Sequence, residues 1–294
     1  MTMRTAWTVA RDTVAEFLGE SPFQLAGALS FYTLLSLSPL VLVVVGVTGL
    51  VWSQETVQAE LIAQVEQLVG AHGAETVSTV LTAATDRGRS AVSVVLGLAT
   101  LLVGATTVFA QLQASLNQIW HVRAAPTRFA VWVLIRTRLL SMGLVLSLGL
   151  LLLVSLVASA ALAALSDYLA RLVPGGGVIA RALEFLVSLF IIGVLIGAVF
   201  KVLPDARIAW RHAWFGGVVT AVLFGIGKFF IGLYLGRASI GSAYGAAGSL
   251  VVFLVWVYYS SLILLFGAKL TEVYARLRGE PIEPAPYAVV VPRP

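Results

Sequence analysis

The side chains that could perform chemistry in this sequence are few and lie far apart. Its three histidines, His72, His121 and His212, fall in different predicted loops, and none belongs to a His-x-His or His-Glu-x-x-His motif. The chain has no cysteine, which excludes disulfides and thiolate metal sites. A metal-dependent hydrolase needs histidine and carboxylate ligands clustered around an activated water. We therefore expect no enzymatic activity, no metal and no cofactor.

Lys228 is the candidate with the clearest physical case, because it lies inside a long apolar stretch. A charge within a membrane span costs at least about 2.5 kcal/mol on insertion scales and is a functional hypothesis by default. The alternative is that its aliphatic stem snorkels outward and carries the ammonium to water. Glu184 begins another apolar stretch on the same predicted side, so a Glu184–Lys228 ion pair is a further hypothesis.

Two further groups combine polar or small residues at helical spacing. Tyr32, Ser36 and Pro39 lie on or near one face of the first apolar stretch, where they could line a polar path. Helix packing together with a proline kink is the alternative. Small residues spaced four apart predict close helix contact, and a gating hinge is the alternative. The glycine pairs with this spacing are Gly193/Gly197, Gly232/Gly236 and Gly241/Gly245.

The elements that carry these residues are predicted to be membrane-spanning helices. The chain is 59% hydrophobic and only 11% charged, with a mean hydropathy of +0.97, whereas charged residues make up about a quarter of a soluble domain. About 20 apolar residues span the hydrocarbon core as a helix, and continuous apolar runs exclude the alternating pattern of barrel strands. The fold class is therefore all-α, a polytopic membrane protein with six transmembrane helices. The predicted spans are 26–52, 91–111, 139–165, 182–200, 213–235 and 246–270.

The positions of lysine and arginine predict the orientation. Most of the 19 basic residues fall in segments that are cytoplasmic if the N-terminus is cytoplasmic, which is the positive-inside pattern. An even number of spans then returns the C-terminus to the cytoplasm. Because topology explains the excess positive charge and no basic stripe accompanies it, we expect no nucleic-acid partner.

The segments outside the spans differ in character. Residues 5–19 are predicted to form an interfacial helix on the cytoplasmic leaflet. Residues 53–90 are predicted to form an outer loop of two short amphipathic helices, which pack over the spans or against a partner protein. Residues 1–278 are read as a single transmembrane domain, and the proline-rich residues 279–294 as a disordered cytoplasmic tail.

Several motifs resemble those of the YihY/BrkB family of bacterial inner-membrane proteins. They occur in the expected order between about residues 10 and 278: Ala26-Gly-Ala-Leu-Ser-Phe-Tyr-Thr-Leu-Leu-Ser-Leu-Ser-Pro39, Asn117-Gln-Ile-Trp-His-Val122, Lys201-Val-Leu-Pro-Asp205 with Trp210-Arg-His-Ala-Trp-Phe-Gly-Gly217, Ser242-Ala-Tyr-Gly-Ala-Ala-Gly-Ser249, and Phe266-Gly-Ala-Lys-Leu270. The resemblance implies a multi-pass protein of the bacterial cytoplasmic (inner) membrane. The family usually has an acidic residue where this chain has Lys269, and the nearest acid is Glu272. A role tied to a carboxylate at that position therefore does not carry over, and the ribonuclease label given to some members is not expected to apply.

The small number of ionisable residues within the predicted spans favours a lipid-like substrate over a coupling ion. We therefore expect a transporter or translocation factor for an amphiphilic component of the cell envelope. The alternative is a non-transporting scaffold that binds an envelope protein through residues 53–90. The lipid bilayer is the expected surrounding partner, and the sequence pattern gives no oligomeric state.

Overall fold

The structure is a computed structural model that describes residues 3–48, 58–59, 61–63, 65–66, 71–85, 107–125, 176–237 and 248–292. This part of the chain is mostly helical, as predicted, and residues 107–119 are also helical. The helices are α1 (Met3–Gly19), α2 (Pro22–Thr48), α3 (Ala71–Thr85), α4 (Gly176–Val202), α5 (Trp210–Arg237) and α6 (Gly248–Leu277). Four short strands accompany them: β1 (Val122–Ala124), β2 (Ala206–Arg207), β3 (Glu283–Pro284) and β4 (Ala288–Val290).

Three of the described helices are long and apolar enough to cross a membrane. The stretches are Phe185–Val202 in α4, Trp210–Ile231 in α5 and Leu250–Leu277 in α6. They overlap the last three predicted spans, as expected for a multi-pass membrane protein. The predicted span 139–165 and most of 91–111 lie outside the described residues. The count of six spans and the orientation of the termini therefore stay predictions.

The chain forms two compact units. Unit 1 comprises Met1–Glu16, Leu116–Gly225 and Phe266–Pro294, and unit 2 comprises Phe17–Ser115 and Ile226–Leu265. Both α5 and α6 contribute residues to each unit. The single domain predicted for residues 1–278 stays a prediction.

In unit 2, helix α3 of the amphipathic segment packs on α2 and α6. Val77 and Leu81 of α3 form a buried cluster with Leu37 of α2 and with Phe253 and Val257 of α6. Full burial of a side chain of this size stabilises by about 1.5–3 kcal/mol relative to exposure in water. The sequence predicts that the apolar stripe of residues 53–90 packs either over the spans or against a partner protein. The described part of this segment packs on α2 and α6, in agreement with the first alternative.

Helix α1 buries one stripe and exposes another. Val9, Thr13 and Phe17 are buried, whereas Trp7 is 72% exposed and Leu18 is also exposed. An exposed apolar stripe beside membrane spans is what an interfacial helix presents to lipid. Of the apolar residues of this helix, Trp7 and Leu18 are thus exposed and Phe17 is buried. Its place at the membrane interface stays a prediction.

The C-terminal tail is ordered over the described residues 279–292, so the prediction of a disordered tail is wrong there. Strand β3 pairs antiparallel with β2, and β4 pairs antiparallel with β1. Between the strands, the amide of Ala285 donates to the carbonyl of Asp205 over 3.0 Å. The prolines make this segment extended, and the extended backbone then meets unpaired backbone groups of two loops. These short strands are also a departure from the all-α prediction.

The tail leaves α6 through a tight C-terminal cap. Gly279 adopts φ +76°, and its amide donates to the carbonyl of Arg276 over 3.0 Å. The amide of Glu280 donates to the carbonyl of Ala275, also over 3.0 Å. This is the Schellman pattern, in which glycine takes the left-handed conformation without a steric penalty. The cap turns the chain back toward the loops that the tail pairs with.

Candidate functional site

A buried lysine lies near the end of α6 in unit 1. Lys269 is 0% exposed, and its Nζ lies 2.8 Å from Oε2 of Glu272, which is also buried. The same ammonium lies 3.5 Å from Oε2 of Glu16 in α1. It also lies 3.5 Å from the carbonyl oxygen of Ile119, at the end of the helical residues 107–119. Because a helix C-terminus carries partial negative charge, this position favours a cation.

Arg276 joins the same two carboxylates from the other side. Its Nη1 donates to Oε2 of Glu16 and to Oε1 of Glu272, each over 3.1 Å. Its Nη2 makes a short contact with Oε1 of Glu16, so the Arg276–Glu16 pair is bidentate. Glu16, Lys269, Glu272 and Arg276 are hereafter called the charge cluster. Two cations and two carboxylates give the cluster no net formal charge.

The sequence positions of the charge cluster explain its geometry. Lys269, Glu272 and Arg276 are spaced three and four residues apart, so they share one face of α6. Glu16 lies three residues after the buried Thr13 of α1 and is itself half-buried. Loss of one partner from a buried ion pair leaves an uncompensated charge and destabilises by about 3–5 kcal/mol. The cluster therefore ties α1 to α6 within unit 1.

Two other contacts fix the scaffold around the charge cluster. The indole Nε1 of Trp120 donates to the carbonyl of Ala268 over 2.9 Å, next to the buried lysine. The side-chain amide of Asn117 donates to Oδ2 of Asp205 over 2.8 Å, and its carbonyl oxygen accepts from the Asp205 amide over 2.8 Å. Three motifs that are distant in sequence, the ones containing Asn117, Asp205 and Lys269, thus meet in unit 1.

Helices α5 and α6 interlock in unit 1 through two reciprocal glycine–threonine contacts. A Cβ atom added to Gly216 would lie 3.1 Å from Cβ of Thr271, and one added to Gly267 would lie 2.8 Å from Cβ of Thr220. Each threonine hydroxyl donates to the carbonyl of the glycine four residues before it, over 2.6 Å in α5 and 2.7 Å in α6. Only glycine fits at these crossings, which bring the two backbones together.

Lys228, the leading sequence candidate, is exposed on α5 in unit 2. Its neighbours Ile226, Phe229 and Phe230 are also exposed, Phe229 by 68%. The side chain of Glu184, in α4, lies outside the described residues. The Glu184–Lys228 ion pair therefore stays a prediction.

The first-span candidates lie on α2, which is helical through Pro39. Ser36 is buried and Tyr32 is half-buried. The Ser36 hydroxyl donates to the carbonyl of Thr33 over 3.0 Å. The side chain of Pro39 lies outside the described residues, so the choice between a polar path and helix packing stays open to experiment.

Of the glycine candidates, Gly193 and Gly197 lie against α5. A Cβ atom added to Gly197 would lie 3.2 Å from the carbonyl oxygen of Ala213, and one added to Gly193 would lie 3.6 Å from Cα of Val218. Both positions are thus at a close helix crossing in unit 1. The surroundings of Gly232 and Gly236 in α5, and the residues Gly241 and Gly245 themselves, lie outside the described residues.

The sequence interpretation missed the charge cluster. It gave weight to Lys228 because that lysine is in mid-span, and it treated Lys269 only as a departure from a motif. The available signal was the spacing of Lys269, Glu272 and Arg276 on one face of an otherwise apolar helix. Glu16, the partner from α1, had no local signal.

Comparison with known proteins gives the family. The family described as Virulence factor BrkB matches residues 13–289. The chain is 30% identical to a UPF0761 membrane protein of Pseudomonas aeruginosa over 89% of its own length and 61% of the relative's. It is 29% identical to a UPF0761 membrane protein of Stenotrophomonas maltophilia over 91% of its own length and 61% of the relative's. No solved structure matches.

The chain is shorter than these two curated relatives and spans about 61% of their length. The matched residues 13–289 include Glu16, Asn117, Asp205, Gly216 and Lys269. A match over nearly the whole chain, together with the helices long enough to span a membrane, gives the assignment. This chain is a multi-pass bacterial membrane protein of the BrkB virulence-factor family.

Proposed function

We propose that this protein is a transporter or translocation factor that moves an amphiphilic, lipid-like component of the cell envelope across the bacterial cytoplasmic membrane. The observation that supports this proposal is Lys228, an exposed cation within the apolar stretch of α5. It stands among exposed apolar side chains, Ile226, Phe229 and Phe230. A positive charge among apolar side chains is complementary to a lipid with an anionic headgroup.

The depth of Lys228 in the apolar stretch supports the same proposal. The residue lies seven positions before Leu235, the end of the predicted span 213–235, which corresponds to about 10 Å along the helix axis. From that depth a lysine stem extends toward the headgroup level, where phosphates lie. The flanking phenylalanine rings remain at the level of the acyl chains. One short surface thus offers contacts to both parts of an amphiphile.

The test is lipid exchange between leaflets in liposomes that contain the purified full chain. Fluorescent anionic lipid in the outer leaflet is quenched chemically, and the rate at which inner-leaflet lipid becomes accessible is measured. We expect exchange faster than in empty liposomes, and slower exchange for Lys228→Ala. Arg123→Ala, which removes an exposed cation outside the candidate spans, is the control and should keep the wild-type rate. A wild-type rate equal to that of empty liposomes would reject the proposal.

The second candidate function is a scaffold that binds an envelope protein through the outer segment 53–90. Its support is that Glu66 and Glu75 stay exposed while the apolar stripe of the segment is buried in unit 2. A photo-crosslinker in place of Glu75 tests this candidate. A partner captured in stoichiometric amount, together with liposomes that show no lipid exchange, would favour the scaffold over the transporter.

A further inference from the structure

We propose that the ammonium group of Lys269 is a built-in counter-ion, which occupies the place of a monovalent cation in an oxygen-lined site of unit 1. The site is formed by Glu16, Glu272 and the carbonyl of Ile119. In the wild-type chain no dissociable cation is then needed at this place. Ion balance at this site does not depend on whether the protein transports lipid.

The donor set around Lys269 is one that binds hard cations. Among the described residues, two carboxylates and one backbone carbonyl lie 2.8, 3.5 and 3.5 Å from its Nζ. Carboxylate and carbonyl oxygens are the ligands of cations that prefer oxygen. The three oxygens come from α6, from α1 and from the end of the helical residues 107–119. A cation at this point therefore holds three separate segments together.

Within the four residues of the charge cluster, the ammonium balances the second carboxylate. Arg276 contacts both Glu16 and Glu272, but its single charge balances only one of the two carboxylates. Lys269 balances the other from a fully buried position. Without the ammonium, these four residues would carry one net negative charge next to the buried carboxylate of Glu272, which is unfavourable unless a proton or another cation enters.

This arrangement predicts how removal of the ammonium changes the protein. Lys269→Ala removes the charge and leaves space among the oxygens, so a small monovalent cation can take the vacated position. The wild-type chain should be indifferent to the identity of the monovalent cation in solution. The variant should depend on it, because only small cations fit among the three oxygens.

The test compares unfolding midpoints of the full chain in detergent, in choline, sodium or potassium chloride at equal concentration. We expect the same midpoint in all three salts for the wild type. For Lys269→Ala we expect a fall of roughly 10 °C in choline, with several degrees recovered in sodium or potassium. Lys228→Ala, which removes an exposed lysine, is the matched stability control and should show no cation dependence. Equal midpoints of Lys269→Ala in all three salts would overturn the proposal.

A second variant separates loss of charge balance from loss of packing. Lys269→Ala combined with Glu272→Gln leaves Glu16 and Arg276 as a neutral pair. We expect this double variant to be more stable in choline than Lys269→Ala and to lose the cation dependence. If the single variant fails to fold while the double variant folds, the proposal is supported. A double variant that is no more stable than the single one, or that also fails to fold, contradicts it.

Discussion

Replacement of Gly216 by alanine tests a close helix crossing in unit 1. The added Cβ would lie 3.1 Å from both Cβ and Cγ2 of Thr271 and would overlap its hydroxyl oxygen. That hydroxyl can move away only by rotation, which breaks its 2.7 Å hydrogen bond to the carbonyl of Gly267. Either α6 shifts away from α5 or the threonine loses its bond. Both outcomes destabilise unit 1.

The size of the effect follows from three contributions. Overpacking costs about 1–3 kcal/mol, and the lost hydrogen bond adds about 1 kcal/mol. The higher helix propensity of alanine offsets up to about 1 kcal/mol. We therefore expect a net loss of about 2 kcal/mol for Gly216→Ala, which lowers the unfolding midpoint by roughly 4–8 °C in a domain of this size.

Gly225, nine residues further along α5, is the matched control. No atom lies within 4 Å of a Cβ added there, so Gly225→Ala should keep the propensity gain and unfold at the wild-type temperature or a few degrees above it. Thermal unfolding in detergent, followed by circular dichroism, measures both variants. Thr271→Gly added to Gly216→Ala should recover part of the loss. If Gly216→Ala unfolds at or above the temperature of Gly225→Ala, the description of this crossing is wrong.

Three further variants test other contacts of unit 1. Glu16→Gln should destabilise by about 2 kcal/mol because it leaves the partly buried charge cluster with a net positive charge. The control Asp12→Asn, at a surface ion pair on the same helix, should change stability by less than about 1 kcal/mol. Equal effects of the two variants would contradict a stabilising role of the charge cluster. Deletion of residues 281–294 should lower the unfolding midpoint by several degrees, since each lost backbone hydrogen bond contributes about 0.5–1.5 kcal/mol; an unchanged midpoint would mean that the tail pairing adds nothing. Trp120→Phe should destabilise by about 1–2 kcal/mol because it removes the hydrogen bond to the carbonyl of Ala268. The control Trp7→Phe, at an exposed position, should destabilise by no more than about 0.5 kcal/mol. A larger effect at Trp7 than at Trp120 would contradict a stabilising role of the Trp120 indole.

What could be predicted from the sequence is what depends on local pattern. The apolar runs of α4, α5 and α6 specify helices by length and composition, and each run overlaps one predicted span, although the one in α6 continues seven residues beyond the predicted end at residue 270. The apolar stripe of residues 53–90 was also readable, because helical periodicity shows which residues share a face. Packing of its described part on α2 and α6 was one of two alternatives, and the local pattern did not choose between them.

What could not be predicted depends on contacts between distant residues. Glu16 and Arg276 are 260 positions apart, so no local pattern connects them. The tail shows the same limit, because its prolines indicate extended backbone but not the loops at Val122 and Ala206 that pair with it. The position of Lys228 within an apolar stretch is visible in the sequence. The burial of Lys269 is not, because it results from the packing of several helices.

The most direct test of the proposed function is the rate of leaflet exchange for an anionic lipid relative to a zwitterionic lipid, measured in the same liposomes with wild type and Lys228→Ala. The proposal predicts that wild type exchanges the anionic lipid faster than the zwitterionic one. It also predicts that Lys228→Ala reduces this preference, while Arg123→Ala does not. Equal rates for the two lipids in wild type, unchanged by Lys228→Ala, would contradict a role for this lysine in headgroup recognition.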